Sequence, residues 1–434
     1  MSESLSLDSR LRSNRPEHGE FLSLIPYLYS APPVQSLSPR SVHLFDFMRR
    51  VFIPHLVRPA SDPRFIEDYT SQSLQLAGDA PFLMDALMAC SGVEFPANTG
   101  YNRKMSESFY TKALGGFRAY LAQDHSQQSE TIALRTIFIL IIYERSRIYP
   151  SKDVYTHLTG VAVLIKSCCD QLDREPPEST PDASNLARIL ALEAFIFHAA
   201  TSLPFQSPVC RSDIVDDAFD RAVDSLQQLL RRGTIDPYKS PILGAPPRLF
   251  AYVRQVALLY LRFTIDDVLE VQQCLDLDDN LSDWDNESFK AKTSGQHSTS
   301  AAYPIDKINE SQTLCLSTRS PGSDAPLPGL QLYVLATRIL LNHMVNPGMA
   351  KEASMAALIS EAMSLVLLID PVLDYFADYY VWPFFCLGIS ESMSHYRNLI
   401  MDKIVAFWET TRNGPMRLLG DMLSYEWKQP KRQW

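Results

Sequence analysis

The sequence predicts an all-α protein, a multi-helical array of stacked antiparallel helices. Apolar residues recur at spacings of three and four along most of the chain, and no period-two pattern of any length interrupts them. Glycine is scarce, with 16 residues in 434, where average usage of about 7% would give about 30. Scarce glycine disfavours turn-dense β-sandwiches and Gly-rich nucleotide loops. No clean internal repeat divides the chain.

The composition is that of a folded protein with an excess of acidic residues. Apolar residues make up 46% and charged residues 21% of the chain, close to globular averages, which excludes a wholly disordered protein. The net charge of −10 disfavours DNA binding by the chain as a whole, because phosphate contacts depend on clustered Lys and Arg. The densest apolar run, TIFILIIY at 136–143, is too short for a membrane span, and no signal peptide is recognisable. We therefore expect an intracellular protein without a membrane partner.

The first part of the chain predicts an arm followed by four helices. Residues 1–42 are polar and proline-bearing, which predicts a flexible arm before a helical domain at 43–428 and a basic tail at 429–434. An amphipathic helix is predicted from His43, in HLFDFMRRVFIPHLV. Asp79 is the predicted N-cap of a helix that begins at Pro81. Helices at 103–122 and 129–148 follow, and the second is apolar on nearly every face, which predicts a central position.

The later part of the chain predicts further helices and one long insert. The same apolar spacing predicts helices at 153–172, 184–200, 211–232, 246–272, 328–345, 351–369, 379–412 and 414–428. Between them, residues 276–326 are first acidic and then rich in Ser, Thr and Pro. This composition predicts a surface loop or disordered insert.

No pattern of metal ligands or nucleophiles is recognisable in the sequence. None of the seven cysteines stands in a Cys-x-x-Cys pair, and no His-x-x-x-His occurs, so we expect packed thiols, ordinary imidazoles and no bound metal. Gly-x-Ser-x-Gly, Gly-x-Gly-x-x-Gly and the phosphate loop are also absent. The prediction is a protein that is not an enzyme, with no catalytic residue and no cofactor.

One acidic cluster supports an alternative hypothesis. Asp266, Asp267 and Glu270 form a DDxxE-like run on a predicted helix, and acids three or four residues apart share one helix face. Class I terpene synthases, which are also all-α, bind magnesium through such a motif. Their second magnesium-binding motif is absent here. We therefore interpret the cluster as a solvated helix end and keep a Mg-dependent isoprenoid-type enzyme as the alternative.

The basic tail KQPKRQW provides a candidate nuclear import signal. Lys428, Lys431 and Arg432 are its cations. A solvated C-terminal tail is the other interpretation of the same residues.

Seven segments, in order, give the chain a family resemblance. They are FDFMRRVFIPHLV, APFLMDALMACSG, SFYTKALGGFRAYL, TIALRTIFILIIYERSRIYPSKDVYTHLTGVAVLI, EAFIFHAATSLPF, SPILGAPPRLFAYVRQVALL and VWPFFCLGISESMSHYRNLIMDKIVAFWE. Together they resemble the fungal-specific transcription factor domain, the regulatory region of zinc binuclear cluster regulators, in its arginine-regulation and acriflavine-sensitivity subtype. The resemblance extends from about residue 43 to residue 428.

These segments also have a structural interpretation of their own. Gly160 is expected to let two helices approach closely, and Pro383 to start or bend a buried helix. The aromatic residues are predicted to lie in the core, with a ligand-binding box as the alternative: Phe195, Phe197, Phe205, Trp382, Phe384 and Phe385. The matching residues thus describe a scaffold and name no catalytic group.

The sequence departs from the family in one respect. Typical members carry an N-terminal six-cysteine zinc cluster that places a helix in the DNA major groove, whereas the first cysteine here is Cys90. We expect either that DNA is reached through a partner or that an upstream exon supplies the cluster. The resemblance implies a nuclear transcriptional regulator of secondary-metabolite genes that acts through other regulators, self-association or a small-molecule effector. A cytosolic helical scaffold is the remaining alternative.

Overall fold

A computed structural model shows a protein built from helices. It describes residues 39–59, 61, 63–95, 100–123, 127–147, 153–174, 183–205, 212–233, 235–263, 267–293, 328–346, 353–371, 378–412 and 414–429. Within these ranges the chain forms fifteen α-helices and no β-strand. The predicted all-α class and the predicted packed helical array are confirmed.

Eight helices precede residue 233. They are α1 (Pro39–Phe47), α2 (Pro63–Asp79), α3 (Pro81–Glu94), α4 (Gly100–Leu121), α5 (Gln127–Arg145), α6 (Asp153–Arg174), α7 (Ala183–Thr201) and α8 (Asp213–Arg232). A π-helical turn and a 3-10 turn extend α1 as far as Leu56. Because α1 begins at Pro39, it includes the last residues of the predicted arm, whose remainder lies outside the described residues.

Seven helices follow in the C-terminal half. They are α9 (Pro247–Tyr260), α10 (Val268–Thr293), α11 (Pro328–Val345), α12 (Ala353–Leu368), α13 (Val381–Ile389), α14 (Arg397–Thr411) and α15 (Gly414–Glu426). A 3-10 segment, Glu391–Tyr396, separates α13 from α14. In the described part, no helix has both the length and the apolarity needed to cross a bilayer.

Helices that are neighbours in sequence pack together, and these pairs then stack. The pairs α3/α4, α5/α6, α7/α8, α9/α10, α11/α12 and α14/α15 are in contact. Contacts of α3 with α5, α6 with α8, α7 with α9 and α10 with α11 join one pair to the next. The buried apolar side chains form one continuous core from Leu44 to Leu423.

Helix α5 lies inside this stack, as its apolar sequence predicts. Every residue from 132 to 141 is buried, and the helix contacts α3, α4, α6 and α7. A helix that is apolar on all faces is stable only when neighbours cover every face. Any polar side chain that α5 carries along this stretch is therefore buried as well.

The predicted core aromatics are largely buried. Five of the six side chains are at most 2% exposed: Phe195, Phe197, Trp382, Phe384 and Phe385. The sixth, Phe205, is half-buried. The polar edge of Trp382 is satisfied, since its Nε1 donates to Thr337 Oγ1 at 3.0 Å. The Phe385 ring contacts those of Phe205 and Trp382, as the core interpretation predicts.

Several helix boundaries differ from the sequence predictions. The predicted helix at 246–272 is interrupted between Tyr260 and Val268, because Asp267 caps a second helix there. The predicted helix at 379–412 is divided into α13, the 3-10 segment and α14. Pro383 lies in the first turn of α13, where its missing N–H removes no helical hydrogen bond. The predicted helix start at Pro383 is thus confirmed to within two residues.

The region before α3 contains a helix that the sequence analysis missed. Helix α2 ends at Asp79, and the N-cap of α3 is Ala80, with no side-chain cap. The predicted capping role of Asp79 is therefore wrong. Apolar residues of α2 are interrupted by polar ones such as Ser73, which is buried here through a hydrogen bond to the carbonyl of Tyr69.

The predicted insert begins later than residue 276. Residues 276–293 belong to α10, whereas residues 294–327 lie outside the described part. Cys274, Leu277 and Leu281 follow one another at spacings of three and four, and all are buried. The burial of this apolar stripe stabilises the acidic sequence as a helix. The sequence analysis missed the helix because the acidic composition resembles that of a loop.

Close helix approach occurs at Gly116 and not at Gly160. A Cβ added at Gly116 would lie 2.8 Å from the Cβ of Phe82, so α3 and α4 touch there. A Cβ at Gly160 would meet nothing within 4 Å, and the residue is exposed. The predicted close approach at Gly160 is therefore wrong.

A buried carboxyl on α7 holds the segment between α8 and α9. Glu193 is fully buried, and its Oε2 accepts from the N–H groups of Ile242 at 2.6 Å and Leu243 at 3.3 Å. Arg58 reaches the same segment and donates to the carbonyl of Ser240 at 3.4 Å. Burial raises the pKa of Glu193 to about 7, although the hydrogen bonds and the Arg58 charge oppose this shift.

This raised pKa predicts a pH-dependent stability. The folded state keeps the Glu193 proton that the unfolded chain releases near its ordinary value of 4.5, so the contribution is complete below that pH and is lost as pH rises through about 7. Its size is about 3 kcal/mol at 1.36 kcal/mol per pKa unit. Glu193→Gln is expected to remove this part of the pH dependence, measured by urea unfolding at about pH 5 and about pH 8.

The matched control is Glu67→Gln, at an exposed position on α2. It should keep the wild-type difference between the two pH values. If Glu193→Gln keeps that difference too, the assignment of the pH dependence to Glu193 is wrong.

Candidate functional site

A cavity lies between α5 and α7. Side chains from outside these two helices complete its described lining: Leu56, Tyr69, Ile242 and Asp378. The volume open to the centres of water-sized molecules is about 70 Å³. On the same measure one water needs about 10–15 Å³, so the cavity has room for several waters. Its walls are mostly apolar, with Phe138 on α5 and Ala194 on α7 among them. Such a space holds a small organic molecule or a group of waters.

Arg135 places a buried cation in the wall of this cavity. It is 7% exposed, its Nη1 donates to Ser73 Oγ at 2.7 Å, and its guanidinium lies 4.1 Å from the ring centre of Tyr69. Among the described residues no carboxylate pairs with it. A desolvated charge without a counter-ion is costly. The cavity therefore favours an anion beside Arg135, and Arg188 lines the same space.

A buried ion pair lies at another part of the lining. Arg145, at the end of α5, pairs with Asp378 and also donates to Ser202. The side chains of the pair are 7% and 5% exposed. Oδ2 of Asp378 is bound to Arg145, while Oδ1 has no hydrogen-bond partner within the described structure.

His198 is the second cavity residue with an unsatisfied polar atom. Its side chain is buried between rings, with the Phe197 ring 5.3 Å away, and its Nδ1 has no partner in the described part. Burial, and secondarily the charge of Arg145, lower the pKa of His198 well below its ordinary value. The imidazole is thus neutral at pH 7, with one donor and one acceptor nitrogen. An unpaired buried polar atom costs about 1–3 kcal/mol, so both atoms favour a polar partner.

Residues from two segments of the family resemblance meet at a different place. Tyr143 and Glu144 end α5, and His157 lies in the first part of α6. Tyr110 of α4 stacks on Tyr143 with ring centres 4.2 Å apart, and its Oη lies 3.5 Å from His157 Nε2. Burial lowers the pKa of His157, against the opposing charge of Glu144. The cluster joins three helices, so these motif residues have a structural role.

The acidic cluster caps a helix. Oδ1 of Asp267 accepts from the N–H groups of Leu269 at 2.9 Å and Glu270 at 3.3 Å, the geometry of an N-cap. Glu270 pairs with Arg262 at 3.4 Å, and Asp266 lies outside the described residues. The sequence analysis had placed the cluster at the end of a helix. In the structure Asp267 lies at the beginning of one. Within the described ranges, no group of three His, Cys, Asp or Glu side chains could hold a metal ion.

The basic tail is described only at its first cation. Lys428 is exposed just after α15, whereas Lys431 and Arg432 lie outside the described residues. Their role in nuclear import stays a prediction.

The described cysteines are all buried and none forms a disulfide: Cys90, Cys168, Cys169, Cys274 and Cys386. Cys210 and Cys315 lie outside the described ranges. Burial raises the pKa of the Cys90 thiol, which donates to the carbonyl of Ile139 at 3.1 Å. Such a thiol is a packed core group with low reactivity.

The sequence analysis missed Arg135, His198 and Asp378. A signal existed for Arg135, since a charged residue within a helix that is apolar on all faces must be buried. His198 likewise interrupts the apolar run of α7. No local pattern marks Asp378, because its partner Arg145 lies 233 positions away in the sequence.

The capping geometry of Asp267 predicts a structural cost for its loss. Asp267→Ala is expected to lower the free energy of unfolding by about 1 kcal/mol, because the first N–H groups of α10 lose their acceptor. Asp267→Asn is the matched control and should stay near wild type, since asparagine caps as well as aspartate. Urea unfolding measures both. Equal losses in the two variants would contradict the capping role.

The comparison with known families covers nearly the whole chain. A family model described as the fungal specific transcription factor domain matches residues 27–433. No curated protein and no solved structure matches the chain. The matched family consists of transcription factor regulatory domains and not of enzymes. On this evidence the chain belongs to the fungal specific transcription factor domain family.

Proposed function

We propose that this protein is a nuclear transcriptional regulator that acts through other regulators, self-association or a small-molecule effector, and that it reaches DNA only indirectly. The observation that carries the proposal is the family match over residues 27–433. It coincides with a single continuous core from Leu44 to Leu423. A domain of this kind can change its surface when one of its conformations is favoured over another.

The charge distribution supports indirect contact with DNA. Acidic residues exceed basic ones, 50 to 40. Several arginines in the described part are also bound to carboxylates: Arg145 to Asp378, Arg254 to Asp216 and Arg338 to Asp278. Phosphate binding needs clustered cations that are free to replace counter-ions. This domain is therefore better suited to a protein partner than to the duplex.

The location and the target genes are further parts of the proposal. Lys428, Lys431 and Arg432 form the import signal, and the exposure of Lys428 is compatible with recognition by an import receptor. The targets are a set of secondary-metabolite genes, as the family resemblance implies. A cytosolic scaffold would neither enter the nucleus nor control a set of genes.

Transcript profiling tests the regulatory role. Deleting the gene is expected to change a reproducible set of transcripts, and an intact copy should restore them. A copy with Trp382→Ala should fail to restore them, because loss of this fully buried ring and its bond to Thr337 costs about 3–5 kcal/mol. A deletion strain with an unchanged transcript profile would contradict the proposal.

Localisation tests the tail. A fluorescently tagged chain is expected in the nucleus, and a variant with Lys428→Ala, Lys431→Ala and Arg432→Ala should shift severalfold toward the cytosol. The control replaces three exposed cations of α4, with Lys104→Ala, Lys112→Ala and Arg118→Ala. It removes the same charge and should stay nuclear. Cytosolic fluorescence of the intact chain would favour the scaffold instead.

A further inference from the structure

Within the described residues, the charges around the α5–α7 cavity do not balance. Asp378 is neutralised by Arg145, and His198 is neutral. Arg135 therefore leaves a positive charge in the lining that no described carboxylate compensates. Among the contacts of the described residues, Arg135 keeps most of its five N–H donors available, because Ser73 takes only one of them. A carboxylate matches the planar guanidinium and would neutralise its charge.

The middle of the cavity is apolar. Leu134 and Phe138 face it from α5, and Leu190, Ala191 and Ala194 face it from α7. The two alanine side chains are small and leave room in the cavity that the Phe138 ring also lines. A flat apolar group fills such a space, since it gains contact with the ring and displaces water from apolar walls.

The cavity also extends toward unsatisfied polar atoms. Its α5 lining reaches from Arg135 to Ile142, which is about 10 Å along a helix at about 1.5 Å per residue. Asp378 Oδ1 and His198 Nδ1 belong to residues of the same lining and have no described partner. The carboxylate oxygen needs a donor, and a hydroxyl group provides one.

We propose that this cavity binds a small carboxylic acid with a ring-sized apolar body and a hydroxyl at the opposite end. Its carboxylate pairs with Arg135, its body packs on Phe138 and Ala194, and its hydroxyl donates to Asp378. That this ligand is an effector of transcription rests on the proposed function, whereas its binding does not.

Three probes of one shape test the site on the intact wild-type chain by calorimetry. The full probe is 3-(4-hydroxyphenyl)propionate, 3-phenylpropionate lacks the hydroxyl, and 3-(4-hydroxyphenyl)propan-1-ol lacks the carboxylate. The alcohol is expected to bind about 10–100-fold more weakly than the full probe, as for loss of a bond to a charged group. Loss of the hydroxyl should weaken binding about 2–10-fold.

Three variants locate the binding. Arg135→Met should weaken the full probe about 10–100-fold, while Arg118→Met, an exposed arginine of α4, should leave binding unchanged. Ala194→Leu fills the cavity without a change of charge and should weaken all three probes. Circular dichroism identifies the variants that fold. If a variant does not fold, the comparison of the three probes on the wild-type chain still tests the site.

The inference is overturned if no probe shows saturable binding to wild type, which is the result expected of a cavity that holds only water. It is also overturned if the acid and the alcohol bind equally, or if Arg118→Met weakens binding as much as Arg135→Met. Binding of the expected order together with an unchanged transcript profile would uphold the site and contradict the transcriptional role. The two failures are thus distinguishable.

Discussion

The ion pair of Arg145 with Asp378 joins the end of α5 to the segment before α13, across 233 positions of sequence. Ser202, just after α7, accepts from the same guanidinium. Breaking a buried pair of this kind costs about 3–5 kcal/mol, because the remaining charge stays buried and unpaired. The pair therefore fixes how three distant elements meet, and the cavity between α5 and α7 depends on that arrangement.

Other buried or half-buried arginines of the described chain obey the same electrostatic constraint, and Arg135 does not. Arg254 is bound to Asp216, Arg338 to Asp278, and Arg58 lies near the carboxyl of Glu193. Each cation thus has an acidic group nearby that lowers the cost of its burial. In the described part of the chain, Arg135 has a hydroxyl and an aromatic ring in place of a carboxylate. A buried cation that has no carboxylate partner among the described residues and lies beside an open space has the electrostatics of an anion site.

Much of the fold follows from local sequence, and the site does not. The apolar spacing of α5 and the proline at the start of α3 act within a few residues, so those helices are predictable. The acidic part of α10 was misjudged because its composition resembles a loop, although three apolar residues decide its structure. The cavity depends on which side chains meet across the stack. No sequence pattern reveals that, among the described residues, Arg135 lacks a carboxylate or one oxygen of Asp378 lacks a donor, because both are properties of the packed core.

A ligand in this cavity could regulate the domain only by preferring one arrangement of its helices. The geometry meets this requirement, since the carboxylate would contact α5 at Arg135, the apolar body α7, and the hydroxyl the segment before α13 at Asp378. A molecule that contacts three elements stabilises the state in which they are correctly spaced. The free energy of that stabilisation is RT ln(1 + [L]/Kd). A molecule bound to α5 alone would have equal affinity for all arrangements and would shift none of them. The distance between Arg135 and the unsatisfied oxygen of Asp378 is therefore what would let a bound ligand regulate the domain.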